Sequence, residues 1–204
     1  MSFRMLYVLL LLLLCSVSAA YAQANQKQER AVAEVKRLGG TVEYGETIPG
    51  KPVIKVDLHG TKVRDADLTF LKDLKELRTL DLRLTQIGDA GVANLKKLVH
   101  LQTLNLFRTQ LSDKGLFFLR KLEQLQTLLI GGTKVTDAGL VNLKSLTRLK
   151  KLSLFNTQVS DAGLGYLKPL VNLETLLIGG SKITDEGAKA LQKVLPRLQF
   201  GETT

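Results

Sequence analysis

Two histidines and a single cysteine are the side chains of this 204-residue chain best suited to acid–base or nucleophilic chemistry. His59 follows Asp57 by two residues, so an extended strand would place both side chains on one face as an acid–base pair. Catalysis also needs a nucleophile or a third group that orients the base, and the sequence offers neither beside this pair. No P-loop, G-x-S-x-G motif or metal-ligand spacing is present. The sequence therefore predicts a non-enzymatic protein without a cofactor or a metal.

The first 22 residues resemble a secretory signal peptide. Arg4 precedes an apolar run at residues 5–14 that ends in six leucines, and small residues follow, ending at residues 20–22. A retained membrane anchor is the alternative, but the run of about ten apolar residues is short of the roughly 20 that span a bilayer. Lipid attachment at Cys15 is disfavoured because two leucines precede it. We expect export to the periplasm, the cell surface or the extracellular medium, and cleavage after Ala22 would leave no cysteine for disulfides or metal binding.

The chain is basic, with 29 Lys and Arg against 19 Asp and Glu and a net charge of +10. Removal of the signal peptide takes away Arg4 and leaves +9. A basic protein outside the cytoplasm would meet anionic lipids, acidic polysaccharide or acidic proteins, whereas export disfavours nucleic acid as a partner. The other interpretation is that the lysines only keep helix surfaces soluble.

A repeat of 24 residues fills most of the chain. In each unit an L-x-x-L-x-L segment spaces its last two apolar residues by two, which predicts a strand. An L-x-x-L-x-x-L segment follows, and its spacing of three predicts a short helix. One strand and one helix cannot bury their apolar faces alone, so the units must stack. Six ungapped units begin at Val53, Leu77, Leu101, Leu125, Leu149 and Leu173.

A Ser or Thr followed by Asp stands before the predicted helix in the last four units. The hydroxyl can accept a hydrogen bond from a free backbone N–H, and the Asp suits the positive end of the helix. The predicted helix-start residues are Ser112, Thr136, Ser160 and Thr184. A glycine two residues after each Asp is predicted to let the helix pack tightly against the preceding turn. These glycines are Gly91, Gly115, Gly139, Gly163 and Gly187.

Residues 53–196 closely resemble the leucine-rich-repeat family, in particular bacterial members with 24-residue units and a T-x-[VIL]-[TS]-D-x-G-L turn. The units are also similar to ribonuclease-inhibitor-like repeats. The resemblance implies an α/β solenoid with a curved parallel sheet on its concave side and short helices on its convex side. It also implies protein–protein interaction through the concave face.

The ninth position of each unit departs from the family pattern, because a hydroxyl residue stands where many members carry Asn. A ladder of hydroxyl groups is therefore expected to satisfy the turn backbone. Its members are Thr61, Thr85, Thr109, Thr133, Thr157 and Ser181.

Both ends of the repeat array have segments that could cover it. Residues 23–52 are predicted to form an N-terminal cap, with a helix over 23–38 and a strand over 41–44. Residues 197–204 form a short C-terminal end, in which 197–200 could add a closing strand. This thin cap leaves an exposed edge or a contact with another chain, so a monomer or weak self-association is expected.

The fifth and seventh positions of the units are expected to point to the concave side. Phe107 and Phe155 occupy seventh positions, and each is followed one unit later by a glycine. Leu129 and Leu177 occupy fifth positions in the glycine-containing units. One interpretation is an exposed apolar row that binds a partner. The other is that each Phe ring only covers the backbone of the neighbouring glycine.

The leading hypothesis is an exported module that binds an unidentified protein, and the alternative is an envelope component that binds acidic polysaccharide or an anionic membrane surface through its charge. The candidate partner-binding residues are Asp57, His59, Asp81, Arg83, Asn105, Phe107, Arg108, Leu129, Phe155, Asn156 and Leu177.

Overall fold

The computed structural model describes residues 22–201. The predicted signal peptide lies outside the described residues except for Ala22. Helix α1 spans 22–37 and is followed by Gly39, whose φ of +84° lets the chain turn sharply. Strand β1 then pairs antiparallel with the first strand of the repeats.

The strands form one eight-stranded sheet in which spatial order equals chain order. Every pair from β2 onward is parallel, and residues 24 apart lie opposite each other, as Leu80 does to Leu104. The predicted parallel sheet is thus confirmed. The strands are β1 (Thr41–Tyr44), β2 (Val53–Asp57), β3 (Thr79–Asp81), β4 (Thr103–Asn105), β5 (Thr127–Leu129), β6 (Lys151–Ser153), β7 (Thr175–Leu177) and β8 (Gln199–Phe200).

Short helical segments return the chain from each strand to the next. The α-helices are α2 (Asp89–Val92), α3 (Asp113–Leu119), α4 (Asp161–Leu164) and α5 (Asp185–Val194). The 3-10 helices span Asp65–Asp73, Ala93–Lys97, Asp137–Leu143 and Gly165–Leu167. Much of the helical side is 3-10, and a leucine spacing of three fits three residues per turn, although α3 has the same spacing and is α-helical. In α5 the buried residues Ala188, Leu191 and Leu195 are spaced by three and four, and this segment is α-helical over ten residues.

One continuous hydrophobic core runs through the stack from Ala31 of α1 to Leu198 near the C-terminal end. Leu104, Leu128 and Leu152 occupy the same position in successive repeats and are completely buried. Burying such a side chain stabilises the fold by about 1.5–3 kcal/mol. Because each repeat contacts its neighbours, stability is expected to depend on the interfaces between them.

The Ser/Thr-Asp pairs form a ladder of hydrogen bonds between repeats. The carboxylate of Asp113 accepts one bond from the backbone N–H of Thr136 (2.8 Å) and another from its hydroxyl (2.7 Å). The Thr136 hydroxyl in turn accepts a bond from the N–H of Ala138, so the predicted helix cap is confirmed. The Asp has a second role that the sequence did not predict, because it ties its own repeat to the next one. The same two bonds join Asp89 to Ser112, Asp137 to Ser160 and Asp161 to Thr184.

The glycine after each Asp makes room for the carboxylate of the preceding repeat. A Cβ atom on Gly139 would collide with Oδ1 of Asp113. Tight packing at these glycines is confirmed, but the nearest group is the aspartate of the preceding repeat and not the turn before the helix. We call these Asp, Ser/Thr and Gly residues the turn ladder. Its Asp–Gly contacts join Asp65 to Gly91, Asp89 to Gly115, Asp113 to Gly139, Asp137 to Gly163 and Asp161 to Gly187.

The ninth-position hydroxyls satisfy the turn backbone as predicted. Thr133 Oγ1 donates to the carbonyl of Ile130 at 2.6 Å, within its own repeat. The equivalent bond is made by Thr61, Thr85, Thr109, Thr157 and Ser181. A hydroxyl can therefore replace the longer Asn side chain at this position, because the carbonyl that needs a donor lies only three residues back.

Candidate partner-binding surface

The fifth positions of the repeats lie side by side across the sheet. Asp81 is opposite Asn105, and Leu129 lies between Asn105 and Ser153 in the strand register. Neighbouring strands in a sheet are about 4.8 Å apart, so these side chains form a continuous row. From the N-terminal end the row contains Asp57, Asp81, Asn105, Leu129, Ser153 and Leu177.

The N-terminal end of this row is polar, and its groups bond to one another. Oδ1 of Asp57 accepts a hydrogen bond from the backbone N–H of His59 (3.0 Å) and lies 2.7 Å from Nδ1 of the same residue. Burial opposes ionisation of Asp57, but the hydrogen bonds from His59 outweigh it, so the pKa of Asp57 lies below its usual range. The acid–base pair expected from the sequence is therefore brought together, with an ionised carboxylate.

Asp81 is the centre of a second polar group. Its carboxylate accepts hydrogen bonds from the backbone N–H of Arg83 (3.0 Å) and from the side-chain amide of Asn105 (3.3 Å). The guanidinium Nε of Arg83 lies 3.4 Å from the same carboxylate. Asn105 also accepts a bond from the N–H of Phe107 and is only 7% exposed, so it is buried instead of presented to a partner as expected. We call Asp57, His59, Asp81, Arg83 and Asn105 the polar end.

Towards its C-terminal end the surface is apolar. Two aromatic rings at seventh positions lie at its centre, beside the fifth-position row. The ring centroids of Phe107 and Phe155 are 6.4 Å apart, with an interplanar angle of 32°. Residues two strands apart would stand about 10 Å from each other, so the rings lean together over the intervening repeat. Gly131 lies there, and a Cβ on it would come within 3.1 Å of the Phe107 ring. Gly131 is buried while both rings are half-buried, so Phe107 covers the glycine backbone and also contributes to the surface.

Leucines and two polar residues surround these rings. Leu129 and Leu177 are half-buried. The exposed guanidinium of Arg108 lies 5.3 Å from the Phe107 ring centroid, within range of a cation–π interaction. Asn156 is exposed at the equivalent place beside the second ring. We call Phe107, Leu129, Phe155 and Leu177 the apolar end, with Arg108 and Asn156 at its rim.

Sequence reasoning missed the backbone conformation of the eighth position. Leu84, Arg108 and Asn156 have φ of +58°, +52° and +53°, in the left-handed region. The other three repeats have glycine there, also with positive φ, at Gly60, Gly132 and Gly180. Glycine at the eighth position of alternate repeats could have indicated this conformation, because left-handed backbone favours glycine.

No group of three or more His, Cys, Asp or Glu within residues 22–201 is arranged to hold a metal ion. None of the helices in this part of the chain has the length and apolar character needed to cross a membrane.

Comparison with known families supports the repeats seen in the fold. The model of the family described as leucine-rich repeat matches residues 75–96, 97–119 and 170–191. Together with the sheet and the stacked 24-residue units, these matches show a leucine-rich-repeat solenoid fold. No curated protein matches the chain.

Two solved structures illustrate the shared fold. An internalin, InlF, from Listeria monocytogenes is similar over 76% of this chain and 51% of its own, with a TM-score of 0.53 and 20% identity. The leucine-rich-repeat ectodomain of the Arabidopsis thaliana receptor kinase GASSHO1/SCHENGEN3, in complex with Casparian strip integrity factor 2, is similar over 78% of this chain and 19% of its own. Its TM-score is 0.55 and the identity is 19%. The present chain thus spans about half of the internalin and about a fifth of the ectodomain, and the likeness concerns the fold alone.

Proposed function

We propose that this protein is an exported, non-enzymatic module that binds another protein on the apolar end of its concave sheet. The observation that carries this proposal is the contact between Phe107 and Phe155, whose rings pack together while both stay half-exposed. Rings held by a neighbour lose little conformational freedom when a partner arrives, so more of the contact energy contributes to affinity.

The surroundings of the rings resemble the anatomy of a protein interface, with an apolar centre and a polar rim. Leu129 extends the apolar centre, while Arg108 and Asn156 supply hydrogen-bond donors at its rim. Aromatic residues and Arg are enriched among residues that dominate binding energy. The polar end bonds internally, so we assign it a smaller share of the affinity. The partner expected here presents apolar side chains and an acidic group that can reach Arg108.

Affinity capture from envelope extract, read by mass spectrometry, tests the binding surface. The double variant Phe107→Ala/Phe155→Ala should lose the captured protein. Phe117→Ala, which removes an exposed ring from the helical side, is the matched control and should retain it. Circular dichroism should first show that both variants are folded. Capture that survives the double substitution would exclude the apolar end as the binding surface.

The export proposal rests on residues 1–22, with their basic start, apolar run and small residues before Ala22. N-terminal sequencing of protein recovered outside the cytoplasm should begin at Gln23. Protein that keeps residues 1–22 in a membrane fraction would support the anchor instead, and protein confined to the cytoplasm would contradict export.

A further inference from the structure

The helical side of the solenoid carries a row of positive charges at the twentieth position of the repeats. This position follows the buried leucine that ends each L-x-x-L pair, and it is exposed and basic in five consecutive repeats. We call the row formed by Lys72, Lys96, Arg120, Lys144 and Lys168 the basic row.

Exposed apolar side chains stand beside the centre of the basic row. Phe117 and Val141 are 45% and 42% exposed. Phe117 precedes Arg120 by three residues, and Val141 precedes Lys144 by three. Each apolar side chain therefore lies on the same outer face of its helical segment as the basic residue that follows it. The guanidinium of Arg120 lies 3.9 Å from the Phe117 ring centroid, and Nζ of Lys144 lies 4.9 Å from the Tyr166 ring. Cations and apolar groups therefore form one mixed surface.

A hydrogen bond between repeats holds the centre of this surface in register. The hydroxyl of Ser145 donates to the backbone carbonyl of Arg120 at 2.6 Å. Since Ser145 directly follows Lys144, the bond sets Lys144 beside Arg120 across the repeat boundary. The two charges consequently act as neighbours.

Few carboxylates are available to neutralise the row. Between residues 84 and 201 there are sixteen Lys and Arg but only eight Asp and Glu. Four of those acids bond to the next repeat in the turn ladder. The ion pairs found among residues 22–201 all lie between Glu34 and Arg83, and none includes a member of the basic row. The four members of the row from Lys96 to Lys168 therefore present uncompensated charge to the solvent.

We propose that this convex surface binds an anionic lipid bilayer, with the basic row at the headgroups and Phe117 and Val141 entering the interface. Lys and Arg near an anionic leaflet are attracted to it, and large apolar side chains between them gain from burial at the headgroup boundary. An acidic polysaccharide would satisfy the charges but would leave the apolar side chains in water, so the mixed surface favours lipid. The concave sheet stays free, which makes this surface independent of the proposed protein-binding role.

Vesicle co-sedimentation tests the electrostatic half of the proposal. The full chain should bind vesicles of phosphatidylglycerol and phosphatidylcholine more strongly than vesicles of phosphatidylcholine alone, and salt should weaken the difference. The variant Lys96→Gln/Lys144→Gln should bind the anionic vesicles about 25-fold more weakly, at about fivefold per charge.

The matched control is Lys150→Gln/Lys151→Gln, which removes two exposed charges from the sheet side, at and just before β6. It should weaken binding only slightly. Residues 1–22 are the same in every variant, so any lipid affinity of that segment appears equally in all of them and on neutral vesicles. Equal weakening by the two double variants would show that net charge alone is responsible and would overturn the proposed surface.

Fluorescence tests the apolar half, because the chain contains no Trp. The emission of Phe117→Trp should shift to shorter wavelength with anionic vesicles and should be quenched by brominated lipid. Phe155→Trp, on the concave side, should not respond. If the protein bound a soluble acidic polysaccharide and lipid caused no shift in the Phe117→Trp emission, the ligand of this surface would be the polysaccharide and not the bilayer. An unshifted Phe117→Trp emission on vesicle-bound protein would likewise contradict insertion of this surface.

Discussion

The turn ladder and the row of fifth-position residues, here called the concave row, differ in how regular they are from repeat to repeat. In the ladder the same three residue types recur from one repeat to the next, and Asp113 bonds to Thr136 as Asp137 bonds to Ser160. On the concave row the fifth position changes from Asp81 to Leu129 without any change in strand register. The first set contacts neighbouring repeats, whereas four of the six residues in the second stay partly exposed to solvent.

This difference separates residues that build the solenoid from residues that can recognise something. A ladder residue must match its copies on both sides, so one substitution disturbs two interfaces. A residue on the concave side makes few bonds that the fold requires. Its residue type can therefore change to suit a binding partner. The prediction is that ladder and core substitutions lower stability, whereas concave substitutions lower binding with little effect on stability.

Two adjacent leucines of β5 give the largest expected contrast. Leu128 is completely buried, whereas its neighbour Leu129 is half-buried on the concave side. Leu128→Ala should lower the free energy of unfolding by about 2–5 kcal/mol because it removes core contacts and leaves a cavity. Leu129→Ala should cost about 1 kcal/mol, in proportion to its smaller burial. Urea unfolding followed by circular dichroism measures both, and equal losses would erase the distinction between the two faces.

The next contrast lies within the ladder, between an aspartate that has a following repeat and one that does not. Asp113→Ala removes both bonds to Thr136 and leaves a partly buried N–H unpaired, which should cost about 1–3 kcal/mol. Asp185 begins α5, and no further repeat stacks on α5 within residues 22–201. Asp185→Ala should lose only the favourable charge at the helix start, about 0.3–1 kcal/mol. The same urea titration applies, and similar costs for the two variants would mean that the bonds between repeats contribute little.

The repeat fold could be predicted from the sequence because the same pattern of apolar residues occurs in six consecutive repeats. Spacing of two before each turn and spacing of three after it indicate a strand and a helical segment, and the structure has both in every repeat. The spacing of three is also compatible with 3-10 helix, which the structure has at Asp137–Leu143. The sequence predicted a short helix there and did not distinguish α-helix from 3-10 helix. Local pattern was sufficient here because each element is short and regular.

The contacts between repeats were not predictable in the same way. A periodic sequence shows that Asp113 recurs, but not whether its carboxylate turns towards its own helix or towards Thr136 in the next repeat. The position of Phe107 over Gly131 depends on the space that a missing Cβ leaves. Asn105 was expected to be accessible, but its short side chain folds back to bond neighbouring groups. These features depend on side-chain direction, which spacing alone does not determine.

Two helical glycines should respond to the same substitution with opposite signs. Gly139→Ala places a Cβ against the carboxylate of Asp113 and should cost about 1–2 kcal/mol, after the better helix propensity of Ala offsets part of the clash. Gly165 has open space around its Cβ position, so Gly165→Ala should stabilise by about 0.5–1 kcal/mol. In the Asp113→Ala background most of the cost of Gly139→Ala should disappear, since the colliding carboxylate is absent and only the flexible side chain of Leu116 remains 3.0 Å from the new Cβ. A cost that persists there would place the clash elsewhere.

The smallest expected effects concern the left-handed eighth position, where the framework tolerates three different side chains. Leu84 has a φ of +58° and is 50% exposed, so Leu84→Gly should relieve backbone strain while losing few contacts. Because Gly gains freedom in the unfolded chain, the net stabilisation should be below about 1 kcal/mol. Gly60→Ala is the reciprocal change at φ +64° with no neighbour near the new Cβ, and it should destabilise by a similar amount. Shifts in melting temperature of about 2–4 °C, with opposite signs, would report both. If Leu84→Gly instead lowered the melting temperature, the exposed leucine would have to make a contact that outweighs its strain, and Leu84 would contribute to the stability of the fold.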